Sequence, residues 1–245
     1  EQIAGEYQPG WMLLSYGKKV SVSSSLEGYP AENIVDEDAR TAWVAQSNRD
    51  MEWAQVDLQR LSSIHAIQVN FDEYGANQKG AVSGVYQSYL IYASVNGEDW
   101  SLVVDYGTKK TDTPHDYIEF EEPFKARYIK LQNKEYMVSE NFSVRDLRIF
   151  GKGQGSTPRA VNDFTVERDE ADPCKARLCW EAVPDAQGYI VRYGIAGDKL
   201  YNNFQVMGEN TLEIGSLNKG VAYYFTIDAY NENGITRTSR IKVCR

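Results

Sequence analysis

The stretch Trp53-Ala54-Gln55-Val56-Asp57-Leu58 decides the fold class. Ala54, Val56 and Leu58 fall on one side of an extended chain and Gln55 and Asp57 on the other, the period of two that marks a strand with one dry face. The same grammar recurs around it. Ile67, Val69 and Phe71 alternate, and Tyr89, Ile91 and Ala93 share a face before Asn96-Gly97, a pair that predicts a two-residue hairpin. Tyr128-Ile129-Lys130-Leu131 and Leu147-Arg148-Ile149-Phe150 read as two more strands, and no long stretch carries a clean helical period. Many short strands joined by turn-rich loops predict an all-β sandwich or barrel. Asp72 to Gln87 holds three glycines and no strand pattern, as functional or mobile loops do.

The run Gly151-Lys152-Gly153-Gln154-Gly155-Ser156-Thr157-Pro158 offers nothing to bury and reads as a linker. It predicts a junction segment over 1–17, one domain over 18–152, a linker over 153–159 and a second domain over 160–245. The second domain repeats the alternation at smaller scale. Leu178 and Trp180 sit two apart, Tyr189, Val191 and Tyr193 alternate, and so do Tyr223, Phe225, Ile227 and Ala229. About seven short strands in that length suit an immunoglobulin-like sandwich.

Composition narrows the function. The net charge is −9, with 15 basic against 23 acidic residues up to Lys152 and 11 against 12 after it. A negative field repels phosphate backbones and anionic lipid, which argues against nucleic acid and acidic membranes and for a neutral ligand or a bound cation. No apolar run is long enough to span a membrane. The three cysteines, Cys174, Cys179 and Cys244, lack Cys-x-x-Cys spacing and lie far from both histidines in sequence, so a zinc site is not expected. The first residues have the character of mid-chain sequence, which suggests a fragment of something longer.

Six segments, in order, carry a resemblance across the first domain. They are Val22-Ser23-Ser24-Ser25, Asn33 through Trp43, Trp53 through Leu58, Ser94-Val95-Asn96-Gly97-Glu98-Asp99-Trp100, Ala126 through Leu131, and Asp146-Leu147-Arg148-Ile149-Phe150-Gly151. Together they resemble a discoidin domain, the factor five/eight type C fold. The resemblance implies a jelly-roll sandwich whose loops at one end bind ligands, often sugars. In the second domain, Leu178-x-Trp180 with Ala182 and Pro184, Gly188-Tyr189-x-Val191-x-Tyr193, Leu217-Asn218-Lys219-Gly220-x-x-Tyr223 and Phe225-x-Ile227-x-Ala229-x-Asn231-x-x-Gly234 resemble a fibronectin type III domain. Trp180 would then fill the space between the sheets, and the Tyr223 hydroxyl would close a tyrosine corner. The fold expected is all-β, a discoidin-like jelly-roll sandwich followed by an immunoglobulin-like fibronectin type III sandwich.

The resemblance also implies sites. Discoidin domains of the sugar-binding type hold one calcium in an Asp-rich turn. Mapped here, the ligands are a carbonyl of Asn33, the Asp36 carboxylate, a carbonyl or carboxylate of Asp38, the hydroxyl and carbonyl of Thr41, and the Asp146 carboxylate. Glu37 stands where the family has glycine, and Asp146 where glutamate is usual. The alternative is a solvated turn capped by Thr41. A sugar site needs flat aromatic faces and planar polar groups. The loops 46–53, 72–87 and 134–143 could supply them through Arg49, Tyr74, Asn77, Tyr136 and Phe142, while Trp43, Trp53 and Trp100 are assigned to the core. Cys179, between inward Leu178 and Trp180, should face outward. Cys174 and Cys244 could form a disulfide, with three reduced thiols as the alternative. No catalytic motif surrounds the carboxylates, His65 or His115.

The pairing is similar to the non-catalytic C-terminal region of secreted bacterial glycoside hydrolases of the xylosidase and arabinosidase kind. It implies a calcium-stabilised, extracytoplasmic glycan binder for plant-wall or host polysaccharide, linked to a catalytic domain, with the fibronectin-like half as spacer. Two alternatives stand beside it. One is a structural region that packs on the catalytic domain without binding a ligand, which an exposed apolar patch at Trp11 to Leu14 would favour. The other is a protein-adhesion module.

Overall fold

A computed structural model describes residues 10–76 and 84–245, divided between two compact units, one running from Gly10 to Gln154 and the other containing Gly155 to Arg245. Both are built of antiparallel strands, and the described residues contain no helix long and apolar enough to cross a membrane.

Among the described residues the first unit has eight strands: β1 (Met12–Leu13), β2 (Lys19–Val22), β3 (Trp43–Val44), β4 (Trp53–Phe71), β5 (Gln87–Ser94), β6 (Ser101–Tyr106), β7 (His115–Tyr136) and β8 (Ser143–Lys152). β4 and β7 are 19 and 22 residues long, and each serves both layers of a sandwich. The start of β4 lies between β2 and the second half of β7, which leads on to β5 and β6. Its end lies between the first half of β7 and β8, with β1 and β3 on the far side of β8. The strand changes layer at Gln59, whose φ of 65° is stabilised by a hydrogen bond from its N–H to Asp57 Oδ1 (2.7 Å). The register with β7 slips there, and Gln59, Arg60 and Leu61 are exposed.

The expected alternation is the observed one. Ala54, Val56, Leu58, Ile67, Val69, Phe71, Tyr89, Ile91, Ala93, Ile129 and Leu131 all point into one core around Trp43, which is 0% exposed. Three expectations need correction. Asn96-Gly97 belongs to a six-residue connection, not a two-residue hairpin: Asn96 Oδ1 accepts the N–H groups of Glu98 and Asp99 (3.0 and 2.9 Å), and this Asx turn lengthens the loop. Trp53 and Trp100 are half-buried on the outer face and do not join the core. The residues expected to be a junction are part of the sheet: β1 pairs with β8 (Met12 with Gly151), Trp11 stacks on His65 (5.0 Å), and Leu14 is buried. The apolar patch required by the structural alternative is thus built into this unit.

The second unit packs a three-stranded sheet on a larger one. The first holds β9 (Phe164–Arg168), β10 (Ala176–Trp180) and β13 (Thr211–Ile214). The second holds β12 (Asn202–Met207), β11 (Gly188–Gly194) and β14 (Tyr223–Asn231), with β15 (Gly234–Thr236) and β16 (Lys242–Cys244) both on β14. Trp180 meets Tyr189 edge-on between the layers (5.1 Å), and the Asn218 N–H donates to the Tyr223 hydroxyl (3.2 Å), closing the corner as expected. The expected Cys174–Cys244 bridge is absent: all three cysteines are free thiols. Arg168 occupies that region, donating to the carbonyls of Pro173, Val221 and Asn218 and acting on the buried Cys244 thiol.

Candidate functional site

At one end of the first unit the connection between β3 and β4 is stitched to the connection after β7. Asn133, fully buried, donates through Nδ2 to the carbonyls of Asn48 (2.7 Å) and Arg49 (3.0 Å). In return, Asn48 Nδ2 donates to the Ser139 carbonyl (2.9 Å) and Asn141 Nδ2 to the Ala45 carbonyl (2.9 Å). The stitching turns residues 46–52 outward as a rigid rim, with Met51 at a φ of 81° and 65% exposed at its tip.

Under this rim lies an open groove of about 500 Å³, lined by Ser23, Ser24, Gln46, Ser47, Arg49, Asp50, Met51 and Glu52. Glu52 organises it. Its carboxylate accepts the hydroxyls of Ser24 (2.8 Å), Ser47 (2.7 Å) and Ser23. Burial alone would raise the Glu52 pKa, but the three hydroxyls and the nearby Arg49 charge more than offset it, so the carboxyl titrates below its ordinary 4.5. Asp50 is held by Lys134 (2.5 Å). Glu52 is thus not arranged as the protonated acid that glycoside cleavage requires. Arg49 is exposed and makes no ion pair among the described residues, so its guanidinium is available to a ligand.

Because its folded pKa is depressed, Glu52 contributes stability above its ordinary value, and that contribution disappears as pH falls through the lower folded value. Glu52→Gln is therefore expected to lower the melting temperature at neutral pH, with the gap to the native chain closing in acid. Melts taken across that range check this, and a gap that stays constant into acid would contradict it.

Of the sugar-site residues expected from sequence, Arg49 lines the groove. Tyr74 does not line the groove and packs edge-on against Tyr29 (4.9 Å). Tyr136 and Phe142 are corrected to core: they are 2% and 0% exposed, and their rings pack on Phe71 and on each other, with Phe142 also against Trp43, because the cross-linked loops fold their aromatic residues inward. Asn77 lies outside the described residues. Ser47, Glu52, Asp50 and Gln46 were not anticipated. They lie in the expected 46–53 loop, but no spacing signal ties Glu52 to Ser23 and Ser24, which are 29 and 28 residues away in the chain.

The Asp-rich turn follows a 3-10 segment, Ala31–Val35. Thr41 Oγ1 lies 2.8 Å from Asp36 Oδ2 and 3.0 Å from the Asp38 carbonyl, which already accepts the Thr41 N–H (3.1 Å). One hydroxyl proton cannot serve both oxygens, so lone pairs converge. A carboxylate, a carbonyl and a hydroxyl are oxygens of the kind a calcium ion takes, and three of them are fewer than the roughly six to eight it needs. The Asp38 carboxylate is spent on Arg40, whose hydrogen bonds and charge lower its pKa to about 2. Asn33 donates its amide to the Ala42 carbonyl (2.8 Å). Asp146 accepts from Asn70 (2.8 Å) and shares a face of β8 with Arg148, which reaches Glu37 (2.9 Å). Glu37 adopts a φ of 59° where the resemblance has glycine. Among the described residues no three His, Cys, Asp or Glu side chains gather at one point, so any cation here would rely on carbonyl and hydroxyl oxygens.

Comparison with known proteins gives a family model, F5/8 type C domain, matching residues 19–146. Lactadherin of Rattus norvegicus is 33% identical over 110 residues, covering 42% of this chain and 25% of its own length. The chain thus spans about a quarter of the length of the curated relatives it matches. Among solved structures, chitosan-binding module 1 from a chitosanase/glucanase of Paenibacillus sp. IK-5 is 20% identical, with a TM-score of 0.48 over 57% of this chain and 99% of that one. The family 32 CBM of C. perfringens NanJ, solved in complex with galactose, is 18% identical, with a TM-score of 0.46 over 57% of this chain and 98% of that one.

Proposed function

Given that the chain belongs to the F5/8 type C domain family, we propose that its first unit is a non-catalytic glycan-binding module and that the groove beneath Arg49 receives the sugar. One observation carries this reading: a preformed polar groove in which an unpaired guanidinium, an amide, a carboxylate and three serine hydroxyls converge beside the apolar Met51. A pyranose presents the complementary set, hydroxyls that both donate and accept around an apolar ring. The groove carboxyls are committed to structure, in keeping with binding and not cleavage.

The finer parts of the reading follow from it. Asp36, Thr41 and the Asp38 carbonyl would hold a calcium ion whose charge locks the turn that leads into Trp43, with Asn33 and Asp146 as the further ligands the resemblance implies. The second unit would be a fibronectin type III spacer; its paired sheets and the Asn218–Tyr223 corner support this. The parent would be an extracytoplasmic glycoside hydrolase whose catalytic domain benefits from weak tethered binding, since linkage raises the effective concentration of the substrate.

The test is a thermal melt of the whole chain after EGTA treatment, with and without calcium, against a panel of neutral mono- and oligosaccharides. Calcium is expected to raise the melting temperature, and one sugar class to raise it further. Arg49→Ala should abolish the sugar increment and leave the calcium increment. A native chain that responds to no sugar would sink the groove reading, and one indifferent to calcium would sink the metal reading.

A further inference from the structure

The outer face of β2, β4, β7, β5 and β6 is not an ordinary solvated sheet face. Alternation turns Gln55, Tyr128, Lys130, Tyr92 and Leu102 outward, and register sets Gln55, Lys130, Tyr92 and Leu102 side by side across four strands. At the usual strand spacing this row is roughly 14 Å long, enough for more than one pyranose. Trp100 closes one side, edge-on to Tyr128 (6.5 Å). Tyr92, Trp100 and Tyr128 are half-buried, and Leu102 is exposed.

Lys130 is the unusual member. Its ammonium lies 4.0 Å from the centre of the Trp100 ring and 5.4 Å from that of Tyr92, held by two aromatic faces. It makes no ion pair among the described residues, although this unit is rich in acid. The neighbouring cations are matched: Arg127 pairs with Asp57 (2.8 Å) and Lys134 with Asp50 (2.5 Å). Burial lowers the Lys130 pKa, and no nearby carboxylate restores it. A charge kept half-buried without a counterion is costly unless something supplies one.

We propose that this sheet face is a second binding surface, separate from the Arg49 groove, that takes an acidic glycan: a uronic acid lies across the row beside Tyr92, and its carboxylate pairs with Lys130. The aromatic rings around Lys130 favour a sugar, and the lone ammonium selects a carboxylated one. The inference rests on the reading of the first unit as a glycan binder but not on the groove.

The experiment is titration of the whole chain with an oligogalacturonide and with its methyl ester, which keeps the rings and removes the charge. The free acid is expected to bind at least about tenfold more tightly than the ester, and to weaken as salt is added. Lys130→Met keeps an apolar cover on Trp100 and should remove that preference, while Lys130→Arg should restore it. Equal binding of acid and ester by the native chain would overturn the proposal, as would no binding of the acid, or a preference that survives in Lys130→Met. If Lys130→Met fails to fold, the comparison of acid with ester on the native chain still decides. The neutral-sugar response, read in the same variants, should be unchanged in Lys130→Met. Its absence from the native chain would sink the groove reading and leave this one standing.

Discussion

Trp43→Ala is expected to destabilise the first unit by about 3–5 kcal/mol and to abolish sugar binding at the groove. The size follows from full burial: the indole meets Phe142 edge-on (5.8 Å) at the centre of the core, and no neighbour can move in to fill the void it would leave. The loss of binding follows from a single hydrogen bond. Trp43 Nε1 donates to the Ser24 carbonyl (2.9 Å), and Ser24 is a wall of the groove whose hydroxyl both holds Glu52 and accepts the Gln46 N–H. Denaturant melts give the stability change. Trp43→Phe, which refills much of the volume but lacks the N–H, separates the two effects: it should recover most of the stability while still loosening the groove. Full sugar affinity in Trp43→Phe would show that the Ser24 tether is dispensable.

The second large effect is expected at Asn133. Asn133→Ala removes both amide hydrogen bonds that hold the Asn48 and Arg49 carbonyls, a loss of about 2–4 kcal/mol at one to two per bond. The damage should be local. β7 keeps its register with β5 through Gln132 and Tyr136, so the sandwich stays folded while the rim carrying Arg49 loosens. Hydrogen exchange should report faster opening confined to residues 46–52, together with weaker sugar binding. Accelerated exchange throughout β4 and β7 would instead mean that Asn133 supports the whole sandwich.

The two cases also mark how far the sequence could be read. The inward faces of β4 and β5 follow from a local rule, since alternation fixes which side of a strand is dry, whereas the Tyr223 corner is legible only through the resemblance of its segment to a fibronectin type III domain. The aromatic residues of the end loops escape such rules. Tyr136 ends β7 just past a register shift with β5, and Phe142 lies in the connection that Asn48 and Asn141 bond across to the Ser139 and Ala45 carbonyls, so neither direction follows from a simple period. Trp53 and Trp100 fail for the opposite reason. Bulk argues for burial, but Trp53 stands on the outward side of β4, where alternation wins over size, and Trp100 lies in the connection before β6. The Glu52 site needed Ser23 and Ser47 to meet across the sheet, a tertiary fact that spacing does not encode.

The pairing of Met12 with Gly151 fixes when this unit can be completed. The last strand of the unit supports the first, the third and half of the fourth, so no subset of the preceding chain closes the sandwich. During synthesis at about 5–20 residues per second, roughly seven to thirty seconds pass with apolar strands made and their partner still missing. Contacts of such sequence separation also close slowly once the chain is whole. The arrangement further brings the incoming and outgoing chain to neighbouring strands, so the unit hangs from its polypeptide like a bead on a loop, and a longer protein can carry it without opening a gap in its own backbone.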